Sequence, residues 1–262
     1  MPSAIMRAAG LLVPSTEMEL SEPILTVILY SSMAAATAAL GALPFAFGKP
    51  VSLTWVGGAY ALASGLMLGT GYILMTEALG KSPVLVVVGA GLGVGYTFWT
   101  HWYAGIDDLD TTPGASGGAG FGYKIILQHT LHSASEGVAI GVSMVVNLRL
   151  GVFMALALAA HNVGEAVALT AVLRARGMSA GESAGLSVAS NVTQVLLAIV
   201  AFAVVLPPHG LSLVLGFASG ALFFLVLTEL LPASYQRTGK PSVAFLVSFS
   251  AGAVVLLENF FV

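Results

Sequence analysis

The sequence predicts an all-α integral membrane protein of eight transmembrane helices, and three observations carry that prediction. Of its 262 residues 57% are hydrophobic and 8% charged, where an ordinary soluble domain carries roughly 25% charged residues. With 9 Lys/Arg and 12 Asp/Glu, most of the surface of a 26.7 kDa globule would be left without charge, so its solvent is lipid. Apolar stretches of the roughly 20 residues that a bilayer crossing needs recur eight times. None shows the alternating ten-residue strands of a barrel, and a helix satisfies its own backbone polar groups in hydrocarbon.

The spans fall at 24–47, 52–76, 83–104, 123–146, 150–172, 183–206, 211–233 and 241–261. Turn and charge signals separate them, among them Gly48-Lys49-Pro50, Gly80-Lys81-Ser82-Pro83, Arg174-Ala175-Arg176-Gly177, Pro207-Pro208 and Gly239-Lys240-Pro241. Residues 1–23 read as a short amphipathic or disordered tail. Glu17, Glu19 and Glu22 follow its brief apolar stretch in place of a small-residue cleavage site. Residues 24–262 read as one transmembrane domain whose single long connection, about 105–122, holds Asp107, Asp108 and Asp110. Lys49, Lys124, Arg174, Arg176, Arg237 and Lys240 lie on the side of the odd-numbered loops, and Arg7, Lys81 and Arg149 on the other. The positive-inside rule then puts the odd loops in the cytoplasm and both termini outside it, in a plasma or inner membrane. Trp55, Trp99, Trp102 and Tyr103 near span ends read as interfacial anchors.

Several chemistries are excluded at this level. Without cysteine there is no disulfide framework, thiolate zinc site or iron–sulfur cluster. A net charge of −3 leaves no basic footprint for nucleic acid. Gly89, Gly91, Gly93 and Gly95 in span 3 lack the preceding strand and the spacing of a nucleotide fingerprint. They fit close helix–helix approach instead.

Ionisable groups inside a span are costly and are functional candidates by default. Spans 1, 2, 3 and 6 have none deep inside; His101 and Glu77 lie near span ends. Spans 4 and 5 hold His129, His132, Glu136, His161 and Glu165, while span 7 adds Glu229 and span 8 Glu258. His132 and Glu136 are i and i+4, one turn apart on one face. His161 and Glu165 repeat the spacing. His129 falls within about 20° of Glu136 around the helix. The two segments share His-x-x-x-Glu-(Gly/Ala)-Val-Ala-(Ile/Leu) on oppositely directed neighbours. That is the pattern of an inverted repeat, whose interface is where transporters place their sites. His132, Glu136, His161 and Glu165 therefore make a four-ligand cage of imidazole and carboxylate, suited to one divalent transition-metal ion such as Zn²⁺, Fe²⁺, Co²⁺ or Mn²⁺. A purely structural seam of His–Glu hydrogen bonds is the bland alternative. His129 and Glu229 are candidate pathway groups, set against a satisfied histidine and a snorkelling carboxylate.

At these residues the chain resembles the ZIP (Zrt/Irt-like protein) family of divalent metal transporters. Span 4 reads His132-Ser133-Ala134-Ser135-Glu136-Gly137 where the family shows His-Asn-x-Pro-Glu-Gly. Span 5 reads His161-Asn162-Val163-Gly164-Glu165, and span 7 holds Thr228-Glu229-Leu230-Leu231-Pro232, similar to (His/Ser)-Glu-x-x-Pro. The resemblance implies an eight-span bundle with both termini outside, and a primary site of His132, Glu136, His161 and Glu165. It implies uptake toward the cytoplasm by movement of spans 1, 4, 5 and 6 against 2, 3, 7 and 8. The metal is then substrate, with no cofactor, and a homodimer is compatible with it. Ser133, Asn162 and Asn191 stand where two-metal members place further ligands, so their neutrality implies one metal per site. The motif prolines are replaced by Ser135 and Gly164, which removes the kink a proline would set. Two further functions compete: an intramembrane metalloenzyme using a metal-activated water, and a metal-binding relative that does not transport.

Overall fold

The computed structural model describes residues 16–47, 51–104, 119–204 and 208–262, and every regular element in them is helical. In chain order these are α1 (Pro23–Ala46), α2 (Leu53–Leu79), α3 (Pro83–Ala104), α4 (Ala119–Val146), α5 (Leu148–Ala175), α6 (Ala180–Ala203), α7 (Gly210–Arg237) and α8 (Lys240–Phe261). Seven of them are long and apolar enough to cross a membrane. The exception is α4, whose 28 residues are long enough but whose His129, His132, Ser133, Ser135 and Glu136 dilute its hydropathy.

The helix ends differ from the sequence expectation in ways that have physical causes. The α-helix leading into α1 begins at Thr16, so part of the expected tail is helical; residues 1–15 lie outside the described residues. α1 closes with a tighter 3-10 segment, Ala38–Ala42, and a single turn, Leu43–Ala46. α4 starts at Ala119, inside the segment read as the long connection, and Asp107, Asp108 and Asp110 lie outside the described residues.

α6 starts at Ala180, ahead of the expected 183, because Ser179 and Glu182 form a capping box that satisfies two first-turn N–H donors. It is also interrupted, at Asn191 between Ala180–Ser190 and Val192–Ala203. The Asn191 amide bonds back to the Ser187 carbonyl at 2.8 Å, the local competition with helix that Asn offers. In α7 one π turn, Val226–Leu230, separates Pro208–Leu225 from Leu231–Arg237. Pro232 has no N–H to give the preceding turn and its ring crowds the carbonyl four residues back, and the widened turn relieves both.

The helices assort into two packed groups. α3 and α8 pack against α7 and α2 respectively, and α7 also packs on α2; α4 packs on α6, and α1 on α5 and α6. Within each group, backbones approach at glycines. A methyl on Gly93 would overlap the Phe217 carbonyl, and one on Gly137 the Gln194 carbonyl. Gly91 and Gly95, by contrast, face open space, so half of the span 3 glycine run serves packing. The two groups meet along α2–α5 and α4–α7. Met67, Leu74, Ile140, Met154 and Leu158 are fully buried between α2, α4 and α5. The outer faces stay apolar, as Phe245, Phe249, Leu256 and Phe260 do on α8, which suits hydrocarbon as solvent.

Candidate metal centre

Two clusters of ligand-type side chains lie on the seam between the groups. The first is Glu136 from α4 with His161 and Glu165 from α5, all buried. His161 Nε2 stands 3.5 Å from Glu136 Oε1 and 3.4 Å from Glu165 Oε2. On its other side, His161 Nδ1 lies 3.1 Å from the Ala63 carbonyl of α2. That oxygen can only accept, so Nδ1 carries a proton and Nε2 is the nitrogen turned toward the carboxylates, the orientation of a metal-binding imidazole. Neither Glu136 oxygen has a hydrogen-bond partner, although the residue is fully buried. A carboxylate so placed needs a cation, and two carboxylates with a neutral imidazole suit a divalent one.

The second cluster is His101 from α3, His132 from α4 and Glu229 from the π turn of α7. His132 Nε2 is 3.5 Å from Glu229 Oε1. The His101 Nε2 and the Gln128 side-chain amide both contact the same carboxylate. His101 repeats the tautomer logic, its Nδ1 lying 2.8 Å from the Thr97 carbonyl. The His101 and His132 rings lie 5.1 Å apart between centroids. A cavity of about 40 Å³ adjoins both clusters and is lined by Tyr60, Gln128, His129, His132, Glu165 and Glu229. Arg237 lies over the Tyr60 ring, 5.7 Å from its centroid.

Of the four residues that the sequence groups into one cage, the structure brings Glu136, His161 and Glu165 together and seats His132 in the other cluster. The reason is angular. His129 and His132 are three residues and so about 60° apart around α4, straddling the Glu136 direction. One turns toward α5, where His129 Nε2 stands 3.3 Å from Glu165 Oε2; the other turns toward α3 and α7.

Ser133, Asn162 and Asn191 belong to neither cluster. The Ser133 hydroxyl bonds to the Ser190 carbonyl at 2.8 Å, tying α4 to the interruption in α6. The Asn162 amide donates to the Ala34 carbonyl at 2.9 Å and to Gln194 Oε1 at 3.0 Å, tying α5 to α1 and α6.

Two residues escaped the sequence argument. His101 sits at the end of span 3, where a histidine reads as interfacial, and only the tertiary fold carries it to Glu229. Gln194 is fully buried and pairs with Asn162. Its signal was a polar residue inside span 6, but an uncharged one. Where the motif proline is missing, α5 runs as one helix through Gly164. A methyl there would stand 2.9 Å from the Ala59 carbonyl, so Gly164 permits the close crossing of α5 and α2. The Ser135 hydroxyl returns to the His132 carbonyl at 2.8 Å.

No protein-family profile matches the chain. It is 30% identical over 250 residues to an Arabidopsis thaliana protein named as a zinc transporter, covering 90% of this chain and 39% of that one. It is 29% identical over 229 residues to the zinc transporter GufA of Myxococcus xanthus, covering 79% of this chain and 88% of GufA. Over 139 residues it is 28% identical to the human zinc transporter ZIP4, of which it covers 22%. The chain thus spans well under half the length of the plant and human relatives. Apolar helices of membrane-crossing length and likeness to these proteins mark an integral, multi-pass membrane protein. Similarity running through most of the chain to proteins that share the zinc-transporter name, ZIP4 among them, supports a divergent member of the ZIP family.

Proposed function

We propose that this protein carries a divalent transition-metal ion, zinc foremost, across a plasma or inner membrane toward the cytoplasm. The observation that carries the proposal is Glu136: a fully buried carboxylate, without hydrogen-bond partners, facing His161 and Glu165. Zinc is favoured by the names of the relatives and by a ligand set of nitrogen and oxygen without sulfur; Fe²⁺, Mn²⁺, Co²⁺ and Cd²⁺ fit the same donors less specifically. The ion is substrate, not cofactor, and the named relatives are transporters rather than enzymes.

The chain crosses the membrane eight times, α4 included, with both termini on the outer side. One ion rests at mid-membrane on Glu136, His161 and Glu165, and passes to His132, His101 and Glu229 nearer the cytoplasm. Neutral Ser133, Asn162 and Asn191 support a single ion at the first station, since none brings a charge and each donates to a carbonyl of α1 or α6. Tight glycine contacts inside each helix group, and the placement of both clusters on the seam between groups, support movement of α1, α4, α5 and α6 against α2, α3, α7 and α8. Fully buried Met67, Leu74, Ile140, Met154 and Leu158 close the seam on the outer side of Glu136, while the cavity adjoins the clusters on the inner side.

Reconstitution into liposomes loaded with a zinc-sensitive dye tests the proposal. Zinc-dependent dye response is expected from the native chain and is lost in Glu165→Ala. Equal flux from both proteins would overturn it.

A further inference from the structure

We propose that the Tyr96 hydroxyl is a latch across the seam, a positioning group that holds α4 to α3 in the present arrangement and must release before the helix groups move. This rests on the group movement proposed above and adds to it a residue outside both ligand clusters.

The half-buried Tyr96 of α3 donates its hydroxyl to the Leu131 main-chain carbonyl of α4 at 2.7 Å. The two ends of that bond belong to different groups. On the α3 side the ring is held against α7, with 5.6 Å between the Tyr96 and Phe217 ring centroids. One turn earlier, Gly93 lets the α3 backbone approach the Phe217 carbonyl. On the other side, Leu131 lies in the middle of α4, and its neighbours are tied to α6. The Ser133 hydroxyl bonds to the Ser190 carbonyl at 2.8 Å, and the Thr193 hydroxyl bonds to the Thr130 carbonyl at 2.7 Å. The donor is thus anchored in one group and the acceptor in the other.

A carbonyl acceptor makes this contact all-or-none. The next carbonyl on the same face of α4 lies one turn, about 5.4 Å, away, and a hydroxyl cannot hydrogen-bond over that gap. Any slide short of a full turn strips the phenol of its partner, which is costly away from water. Packed elements joined in this way prefer discrete positions over continuous ones.

Placement on α4 gives the latch its second effect. Leu131 directly precedes His132, whose Nε2 stands 3.5 Å from Glu229 Oε1. Holding the Leu131 carbonyl therefore holds the turn that presents His132 to α7. Two other hydrogen bonds that cross the seam, between His161 and the Ala63 carbonyl and between Gln128 and Glu229, use groups in or beside the ligand clusters. An ion arriving or leaving alters those bonds. Tyr96 and Leu131 belong to neither cluster, so their bond contributes the same bias with or without an ion. The ion's own preference between the two arrangements has to outweigh it.

Spin labelling tests the latch. The chain contains no cysteine, so Leu79→Cys at the end of α2 and Leu148→Cys at the start of α5, both exposed positions, give each group one label. Dipolar distance distributions are recorded on the full chain in liposomes, without metal and with zinc. Tyr96→Phe keeps the ring against Phe217 and removes the hydroxyl alone. It is expected to shift the population ratio away from the separation of the present arrangement by roughly 3-fold, and at most about 18-fold, the span of single hydrogen bonds between membrane helices. The shift has the same size with and without zinc. Tyr103→Phe, which removes an exposed hydroxyl from the same helix, leaves the ratio in place. An unchanged ratio in Tyr96→Phe, even with a lowered Tm, overturns the latch and leaves the hydroxyl a packing role. An equal shift in Tyr103→Phe overturns it as well. One common separation in every sample, zinc-loaded native Tyr96 included, would instead sink the group movement itself, an outcome distinct from failure of the latch alone.

Discussion

Substitution of Gly93 by alanine separates packing from composition in the glycine run of α3. A methyl at Gly93 overlaps the Phe217 carbonyl oxygen and stands 2.8 Å from Ala221 N and 2.9 Å from Phe217 C, all backbone atoms of α7. Ordinary contact for a methyl begins near 3.4 Å. The helices must therefore part by about 0.6 Å for the nitrogen alone, and by more for the oxygen. Backbone cannot swing aside as a side-chain tip can, so the strain falls in the upper part of the roughly 1–3 kcal/mol that overpacking costs. Gly91, two residues away, has nothing within 4 Å of its would-be methyl, and Gly91→Ala is expected to be neutral. Thermal unfolding in detergent, followed by circular dichroism, reads the contrast: Tm falls by several degrees in Gly93→Ala and stays in place in Gly91→Ala. The same separation carries His101 away from Glu229, because α3 and α7 bring those two groups together. Zinc binding at the second cluster should weaken in Gly93→Ala alone, since ligand sites tolerate only about 0.5 Å of displacement. Equal melting and equal zinc binding in the two variants would refute the close-approach reasoning.

Other outcomes follow from the same contacts. His101→Ala should lower the zinc bound per chain by the share of the second cluster and leave the first occupied, as equilibrium dialysis with metal analysis would reveal; unchanged stoichiometry counts against His101 as a ligand. Zinc flux should fall as pH drops, because protons and metal compete for the same nitrogen lone pairs. Liposome assays at about pH 5.5 and 7.5 check the sign, and faster flux at the acid end contradicts it. Ser179→Ala removes a capping box in which Ser179 Oγ lies 3.1 Å from Glu182 N and Glu182 Oε2 lies 2.7 Å from Ser179 N. A loss of about 1 kcal/mol, read as a lower Tm with unaltered zinc affinity, is expected.

How much of this was legible in the sequence depends on whether a feature is local to one helix. Span positions were in outline, because hydropathy is a property of each segment, although α4 falls short of membrane-crossing hydropathy and α2 and α5 run to Leu79 and Ala175, beyond the expected 76 and 172. Helix irregularities were not. The interruption at Asn191 and the π turn before Pro232 shift backbone hydrogen bonds by one residue while leaving composition untouched. Within the site, i and i+4 spacing put His132 and Glu136 on one face of α4, which they share. It could not say which neighbour each side of that face meets. A 60° difference decides whether an imidazole looks at α5 or at α7, and that is fixed by how α4 is rotated in the bundle. His101 lay beyond such reasoning, since its partner Glu229 is more than a hundred residues away in sequence and joined to it only by the packing of α3 on α7.

The two clusters differ in a way that bears on transport itself. The first offers two carboxylates and an imidazole; the second offers two imidazoles and one carboxylate. On the route proposed above, an ion moving from Glu136 and Glu165 to Glu229 exchanges two formal negative charges for one. In a low-dielectric interior that difference loosens its hold, while the imidazoles keep the donor set suited to zinc. Conduction requires a site strong enough to load and a following one weak enough to leave, and charge falling along the seam meets that requirement without any change of ligand chemistry. Gln128 adjusts the second station further. Its amide donates to the Glu229 carboxylate, drawing electron density that would otherwise serve the metal. Gln128→Leu should therefore tighten zinc at the second cluster and slow release to the cytoplasmic side. Single-turnover efflux from pre-loaded liposomes measures that step, and faster release in this variant would show that the amide aids retention instead.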